Sequence, residues 1–172
     1  QMEARIPLII DGGAANVGIE STVVDLTGEV RVLRPGMISA EAIAAALPVA
    51  KVPGLGEEDG PLKSPGQMPR HYAPNARLLV MTWKDEEDLE SQIAYSRTPH
   101  DRVCVIAHTS IVGGTRFGRV SVIPQDPEAY ARALYSELHR CDEEGAELIV
   151  VEAVPEAVEW QGIVDRLARA GG

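Results

Sequence analysis

Cations are in short supply in this 172-residue sequence: 16 Lys and Arg stand against 26 Asp and Glu, a formal net charge of −10. That balance argues against a phosphate-tracking basic groove spread over the surface, so any nucleotide site must be local. Cysteine is scarcer still. Cys104 and Cys141 are the two thiols, with no CxxC and no paired His spacing, and reduced cysteines in the cytosol are the simplest reading. No apolar run approaches the ~18 residues a membrane span requires, and no charged stretch leads into an apolar one at the start. Aromatic residues make up only 4%, and Trp83 and Trp160, in acidic surroundings, read as edge-packing anchors rather than base-stacking platforms. The expectation is a soluble, unsecreted, cytoplasmic chain with no membrane partner and no strong direct contact with nucleic acid.

What is present is the composition of a globular protein, 45% hydrophobic and 24% charged. About 65–70% of the unfolded surface would be buried at this length, in one ordinary domain or two small ones. Gly and Pro are concentrated: nine of the 22 residues from Pro53 to Pro74 are one or the other. Residues 51–75 therefore read as a linker or lid dividing 1–50 from 76–172. In the first part, Leu8–Ile10, Ser21–Leu26 and Val30–Leu33 read as short strands, with Thr27-Gly28-Glu29 as a hairpin turn. Ser39 caps a helix over Ala40–Leu47 that stops at Pro48. So few elements cannot fold unaided. With Gln1 running almost directly into the apolar Ile6 to Ile10, the segment reads as the tail of a larger domain whose earlier portion is missing.

After the linker the pattern predicts strand Arg77–Thr82, helix Asp85–Ser96, strand Arg102–Ala107, strand Arg119–Ile123, helix Asp126–Glu143, strand Leu148–Glu152 and helix Glu156–Ala170. Strands alternating with helices predict an α/β domain with a mainly parallel, Rossmann-like sheet and flanking helices. Ten basic residues face 17 acidic ones from Arg77 onward, which disfavours direct tRNA binding there. Asp85 to Asp88 read as a solvated helix start, and Gly145 as a helix stop after Glu143-Glu144.

Two constellations carry chemistry. The linker holds Lys63, Ser64, Arg70, His71 and Tyr72 in a Pro-stiffened segment, which suits a lid over an anion and equally a rigid spacer with solvated charges. The second is Gly18-Ile19-Glu20-Ser21-Thr22-Val23-Val24-Asp25 followed by Arg31-Val32-Leu33-Arg34-Pro35-Gly36. Alternation puts Glu20, Thr22 and Val24 on one face and Ser21, Val23 and Asp25 on the other. Ser21 and Arg34, near opposite ends of a hairpin, would lie together beside a ligand; Ser and Thr here would also serve as ordinary cross-strand pairs, and Arg34 as a surface charge. His100, His108 and His139 have no metal-ligand spacing and read as surface or locally bonded, and Gly113-Gly114 reads as a loop.

The blocks Gly18 to Leu26, Leu33-Arg34-Pro35-Gly36 and Ser64-Pro65-Gly66 through Arg70-His71-Tyr72-Ala73-Pro74 resemble the Sua5 branch of the YrdC/Sua5 family, the L-threonylcarbamoyladenylate synthases. Leu134-Tyr135, Asp142, Gly145, Val151-Glu152 and Ile163-Val164-Asp165-Arg166-Leu167 are similar to the family's C-terminal domain. The resemblance implies that residues 1–50 are the last strands and helix of a twisted, YrdC-like catalytic domain and that the chain alone is incomplete and inactive. It implies a nucleotidyltransferase reaction joining L-threonine, bicarbonate and ATP into threonylcarbamoyl-AMP and pyrophosphate, with Mg²⁺ on the phosphates. The product would pass to downstream threonylcarbamoyl transfer machinery for N6-threonylcarbamoyladenosine in tRNA.

By the same resemblance Ser21 matches a threonine-contacting serine, with Thr22 beside it as a second candidate contact. Arg34 matches an ATP-phosphate arginine, and Tyr72 a linker tyrosine reaching the nucleotide, with Lys63, Arg70 and His71 lining the same cover. Gln67, Met68 and Pro69 stand where Met, a basic residue and an aromatic are frequent, which weakens the expected phosphate grip. A different reading is a non-catalytic α/β module that senses a nucleotide or docks a partner. The unpaired edges of a half-built first sheet predict association between copies.

Overall fold

The computed structural model describes residues 7–8, 10–13, 15–47, 73–113 and 116–171. The first segment forms a small antiparallel sheet of β1 (Val23–Asp25) and β2 (Arg31–Arg34), with Val24 opposite Val32 and a register shift after Val23. Asp25 closes the connection, accepting bonds from the Thr27 backbone N–H at 2.9 Å and its hydroxyl at 2.6 Å and pairing with Arg31. Helix α1 (Ala40–Ala46) starts where the Ser39 hydroxyl accepts the Ala42 N–H.

The remaining elements are β3 (Arg77–Met81), α2 (Glu86–Ile93), β4 (Val103–Ala107), β5 (Arg119–Val122), α3 (Pro127–Glu143), β6 (Leu148–Glu152) and α4 (Gln161–Gly171). The four strands form one all-parallel sheet in the order β3-β6-β4-β5. Every residue of β4 and β6 is buried, which is why both read as continuous apolar runs rather than alternating ones. Their two faces separate cleanly. Cys104, Ile106, Ile149 and Val151 pack toward Leu134, Leu138, Ile163 and Leu167 of α3 and α4, while Val103, Val105, Leu148 and Val150 pack toward Leu89 and Ile93 of α2. Asp85 and Asp126 cap α2 and α3 through their carboxylates, and Gly145 ends α3 at a φ of +80° that suits glycine. Asp142 near the end of α3 accepts N–H bonds from Asn75 and Ala76 and so fixes where the chain enters β3.

The α/β architecture agrees with the sequence pattern, and the departures are local. Leu8 and Ile10 belong to no strand and are 73% and 85% exposed, because no described strand lies beside them and a strand exists only by pairing. The strand predicted over Ser21–Leu26 shrinks to β1: residues 18–20 dock on α3 and α4, while Ser21 and Thr22 bond Arg34 and Ile38 outside the ladder. The helix predicted over Glu156–Ala170 begins with a 3-10 turn, Val158–Trp160, before α4, and α2 likewise ends in one, Ala94–Ser96. Trp83 and Trp160 lie in the core rather than at an edge, at 5% and 3% exposure. Among the described residues, no helix is long and apolar enough to cross a membrane.

Candidate functional site

Residues 18–20 are held in place by α3 and α4. Gly18 lies so close to α3 that a Cβ would fall 2.2 Å from the Ala131 carbonyl oxygen, so only glycine fits. Ile19 is buried in the same core as Trp160 and Ile163. The Glu20 carboxylate then accepts Arg166 Nε at 2.6 Å and the Tyr135 hydroxyl at 3.1 Å. Burial alone would raise the Glu20 carboxyl, but the Arg166 bond, its own backbone N–H, the Arg166 charge and the Tyr135 hydroxyl together hold it below the usual value. A second close approach seats Gly162 at the start of α4 against the Gly36 carbonyl, where a Cβ would be 2.7 Å away.

Ser21 and Arg34 do come together, as the hairpin reading expects. The contact runs through the backbone: Arg34 Nε and Nη2 donate to the Ser21 carbonyl at 3.2 and 3.1 Å. Arg34 is 9% exposed, so it is a buried, oriented cation rather than a surface charge. The Ser21 side chain remains exposed beside it. Thr22 faces the other way, donating its hydroxyl to the Ile38 carbonyl at 2.7 Å, on the wall of a mostly apolar cavity of about 520 Å³ shared with Val32, Pro35, Ala157 and Val164. Lys63, Arg70, His71 and Tyr72 lie outside the described residues.

A second polar cluster occupies the carboxyl ends of β4 and β6, where parallel sheets usually take ligands. Glu152 accepts the backbone N–H groups of His108, Thr109 and Ser110 at 2.7, 2.8 and 3.0 Å. The donors that a phosphate would need here are already taken by a carboxylate. Burial raises the Glu152 carboxyl, but these three N–H bonds and nearby His108 outweigh it and leave the group lowered. His108 is locally bonded, to Thr109 Oγ1 at 2.8 Å and the Ala153 carbonyl at 3.1 Å, and packs near Tyr130 and Trp160. Tyr130 is fully buried, and its hydroxyl has no hydrogen-bond partner among the described residues. This crevice is therefore filled with aromatic rings and a satisfied carboxylate.

A depressed carboxyl stabilises the fold above its ordinary value near 4.5, and that contribution disappears as pH falls toward the folded value. Glu152→Gln should cost about 1–3 kcal/mol at neutral pH, because one of its amide ends must face N–H donors. It should also flatten the acid limb of stability against pH. Urea unfolding of both proteins from pH 7 down to 3 checks it: parallel acid limbs would mean that Glu152 does not titrate as described.

Sequence reasoning misses Arg166, Tyr135 and Glu20 as site residues. The one available signal is that Glu20, Tyr135 and Arg166 all fall within the motif blocks; nothing in spacing links residues so far apart in the chain.

Residues 38–172 match the family model of the threonylcarbamoyl-AMP synthase C-terminal domain. Threonylcarbamoyl-AMP synthases of Pyrococcus abyssi and Bacillus subtilis are 33% and 31% identical over 98% and 99% of this chain. The chain spans about half the length of these relatives, 50% of each. A crystal structure of P. abyssi Sua5 complexed with L-threonine superposes with a TM-score of 0.81 at 30% identity, over 98% of this chain and 50% of that one. A P. abyssi Sua5 structure in which an adjacent His and Tyr are both replaced by Ala gives 0.76 at 29% identity, covering 94% and 47%.

Proposed function

Because the chain belongs to the threonylcarbamoyl-AMP synthase C-terminal domain family, we propose that it is the C-terminal part of an enzyme that makes threonylcarbamoyl-AMP from L-threonine, bicarbonate and ATP. The observation that carries the reading is the joined Ser21–Arg34 pair: an exposed hydroxyl beside an oriented, buried guanidinium. In the reaction the threonine amine takes up bicarbonate as a carbamate with loss of water. A carbamate oxygen then attacks the α-phosphorus of ATP, and pyrophosphate leaves. Such a reaction depends on positioning and on neutralising phosphate charge, and it needs no Ser–His–Asp triad.

Ser21 contacts threonine, with Thr22 next to it holding the backbone through Ile38, and Arg34 meets the phosphates. Lys63, Arg70, His71 and Tyr72 form the cover, and the C-terminal domain with its linker gates the nucleotide site. One relative's structure concerns an adjacent His and Tyr, and this sequence has a single such step, His71-Tyr72. Mg²⁺ would arrive on the ATP phosphates, where it neutralises charge; among the described residues no group of three ligating side chains is gathered for it. The product supplies threonylcarbamoyl transfer to tRNA adenosine in the cytoplasm.

The test is pyrophosphate release by the intact protein, which should require both L-threonine and bicarbonate. Ser21→Ala should raise the threonine KM about 2- to 10-fold, the loss of one neutral hydrogen bond. Tyr72→Ala should raise the ATP KM and slow turnover. Release that ignores threonine would sink the synthase reading, and an unaltered Tyr72→Ala enzyme would sink the lid. Tight binding of ATP by residues 75–172 alone would favour a nucleotide-sensing module instead.

A further inference from the structure

Helix α4 buries an arginine where its neighbours Ile163, Leu167 and Ala170 bury apolar groups. Arg166 is 5% exposed, and a buried guanidinium is tolerated only when its donors are met. Among the described residues, three of its four bonds go to the other end of the chain. Nε donates to the Glu20 carboxylate at 2.6 Å, and Nη2 reaches the Pro35 carbonyl at 3.2 Å and the Glu20 carbonyl at 3.5 Å. Nη1 bonds Asp165, which Arg169 holds in turn at 2.9 Å. Glu20 immediately precedes Ser21, and Pro35 immediately follows Arg34. One planar fork therefore grips both flanks of the candidate substrate pair, from a helix in the other domain.

We infer that Arg166 is a positioning residue: it sets the distance between the threonine-contacting Ser21 and the phosphate-contacting Arg34, so that the C-terminal domain takes part in the chemistry by aligning two substrates. The inference rests on the synthase reading for its chemistry and on the contacts alone for its geometry. Tyr135 supports it from α3 by donating to the same carboxylate oxygen. A lysine can keep the charge but not the fork, because an ammonium is a single point that cannot meet the Glu20 carboxylate and the Pro35 carbonyl in one plane.

The experiment compares Arg166→Lys and Tyr135→Phe with the wild type in the intact protein, with two readouts. In steady-state kinetics, Arg166→Lys should lower kcat by about 10- to 100-fold per folded molecule, as expected for a misplaced reacting pair, and Tyr135→Phe by less. A merely structural arginine would lower the melting temperature and leave kcat and both KM values unchanged wherever the protein is folded, and that result would overturn the inference. In the second readout, amide hydrogen exchange should quicken in residues 20–22 and 33–36 of Arg166→Lys while β4 and β6 stay protected. Unchanged exchange there would overturn the positioning role whatever the activity. A wild-type protein that makes no threonylcarbamoyl-AMP would overturn the synthase reading instead, and exchange would still decide whether Arg166 holds the pair in place.

Discussion

Arg34→Met in the intact protein is expected to lower kcat/KM for threonylcarbamoyl-AMP formation by about 100- to 1,000-fold, the loss typical of removing one preorganised donor to a developing anion. The size follows from where the guanidinium sits. At 9% exposure and with Nε and Nη2 on the Ser21 carbonyl, it is held in one orientation, so that under the proposed reaction it would meet a phosphate without reorganising. Methionine keeps the stem volume but leaves that carbonyl without these donors, so Ser21 should loosen as the proposed phosphate contact is removed. Arg34→Lys separates the two effects. It restores a point charge without the fork, and should recover phosphate affinity more than turnover. If Arg34→Met had unchanged kcat/KM in the pyrophosphate assay, Arg34 would be a brace for Ser21 and nothing more.

Trp160→Ala should destabilise the C-terminal domain by about 3–5 kcal/mol, the usual cost of emptying a buried aromatic site. Trp160 is 3% exposed, just before α4, with its ring 5.5 Å from that of Tyr130 in an edge-on arrangement and 6.4 Å from that of His108. It seals the core between β6, α3 and α4. Collapse around the void is limited by the two close backbone approaches nearby, Gly18 on α3 and Gly162 on Gly36, which already leave no slack. Urea unfolding followed by far-UV circular dichroism measures the loss, and Trp160→Phe should recover most of it. A change well under 1 kcal/mol would mean that neighbouring side chains refill the site.

The parallel sheet was legible because its central strands are apolar on both faces, and Val103–Ala107 and Leu148–Glu152 have few other ways to be buried. The hairpin placed Ser21 near Arg34 by simple return of the chain. The partner of Arg166 was not legible: a helix wheel puts it on the apolar stripe with Ile163, Leu167 and Ala170, but only tertiary docking shows that Glu20 meets it there. Leu8–Ile10 failed for the reverse reason. Its β-branched pattern is a statement about burial against a neighbour, and sequence does not show whether that neighbour is present.

The strand order has a consequence for how the protein is made. β3 and β4 share no ladder; each bonds to β6, the last strand of the sheet to be synthesised. Until residue 152 has emerged from the ribosome, β3 has no partner in this sheet and β4 is covered along one edge only, by β5. A nascent chain paused before Leu148 thus holds two sticky apolar segments apart with nothing between them. Folding here is a late insertion into the middle of a sheet rather than growth from one side, and chaperone contact should concentrate in that interval.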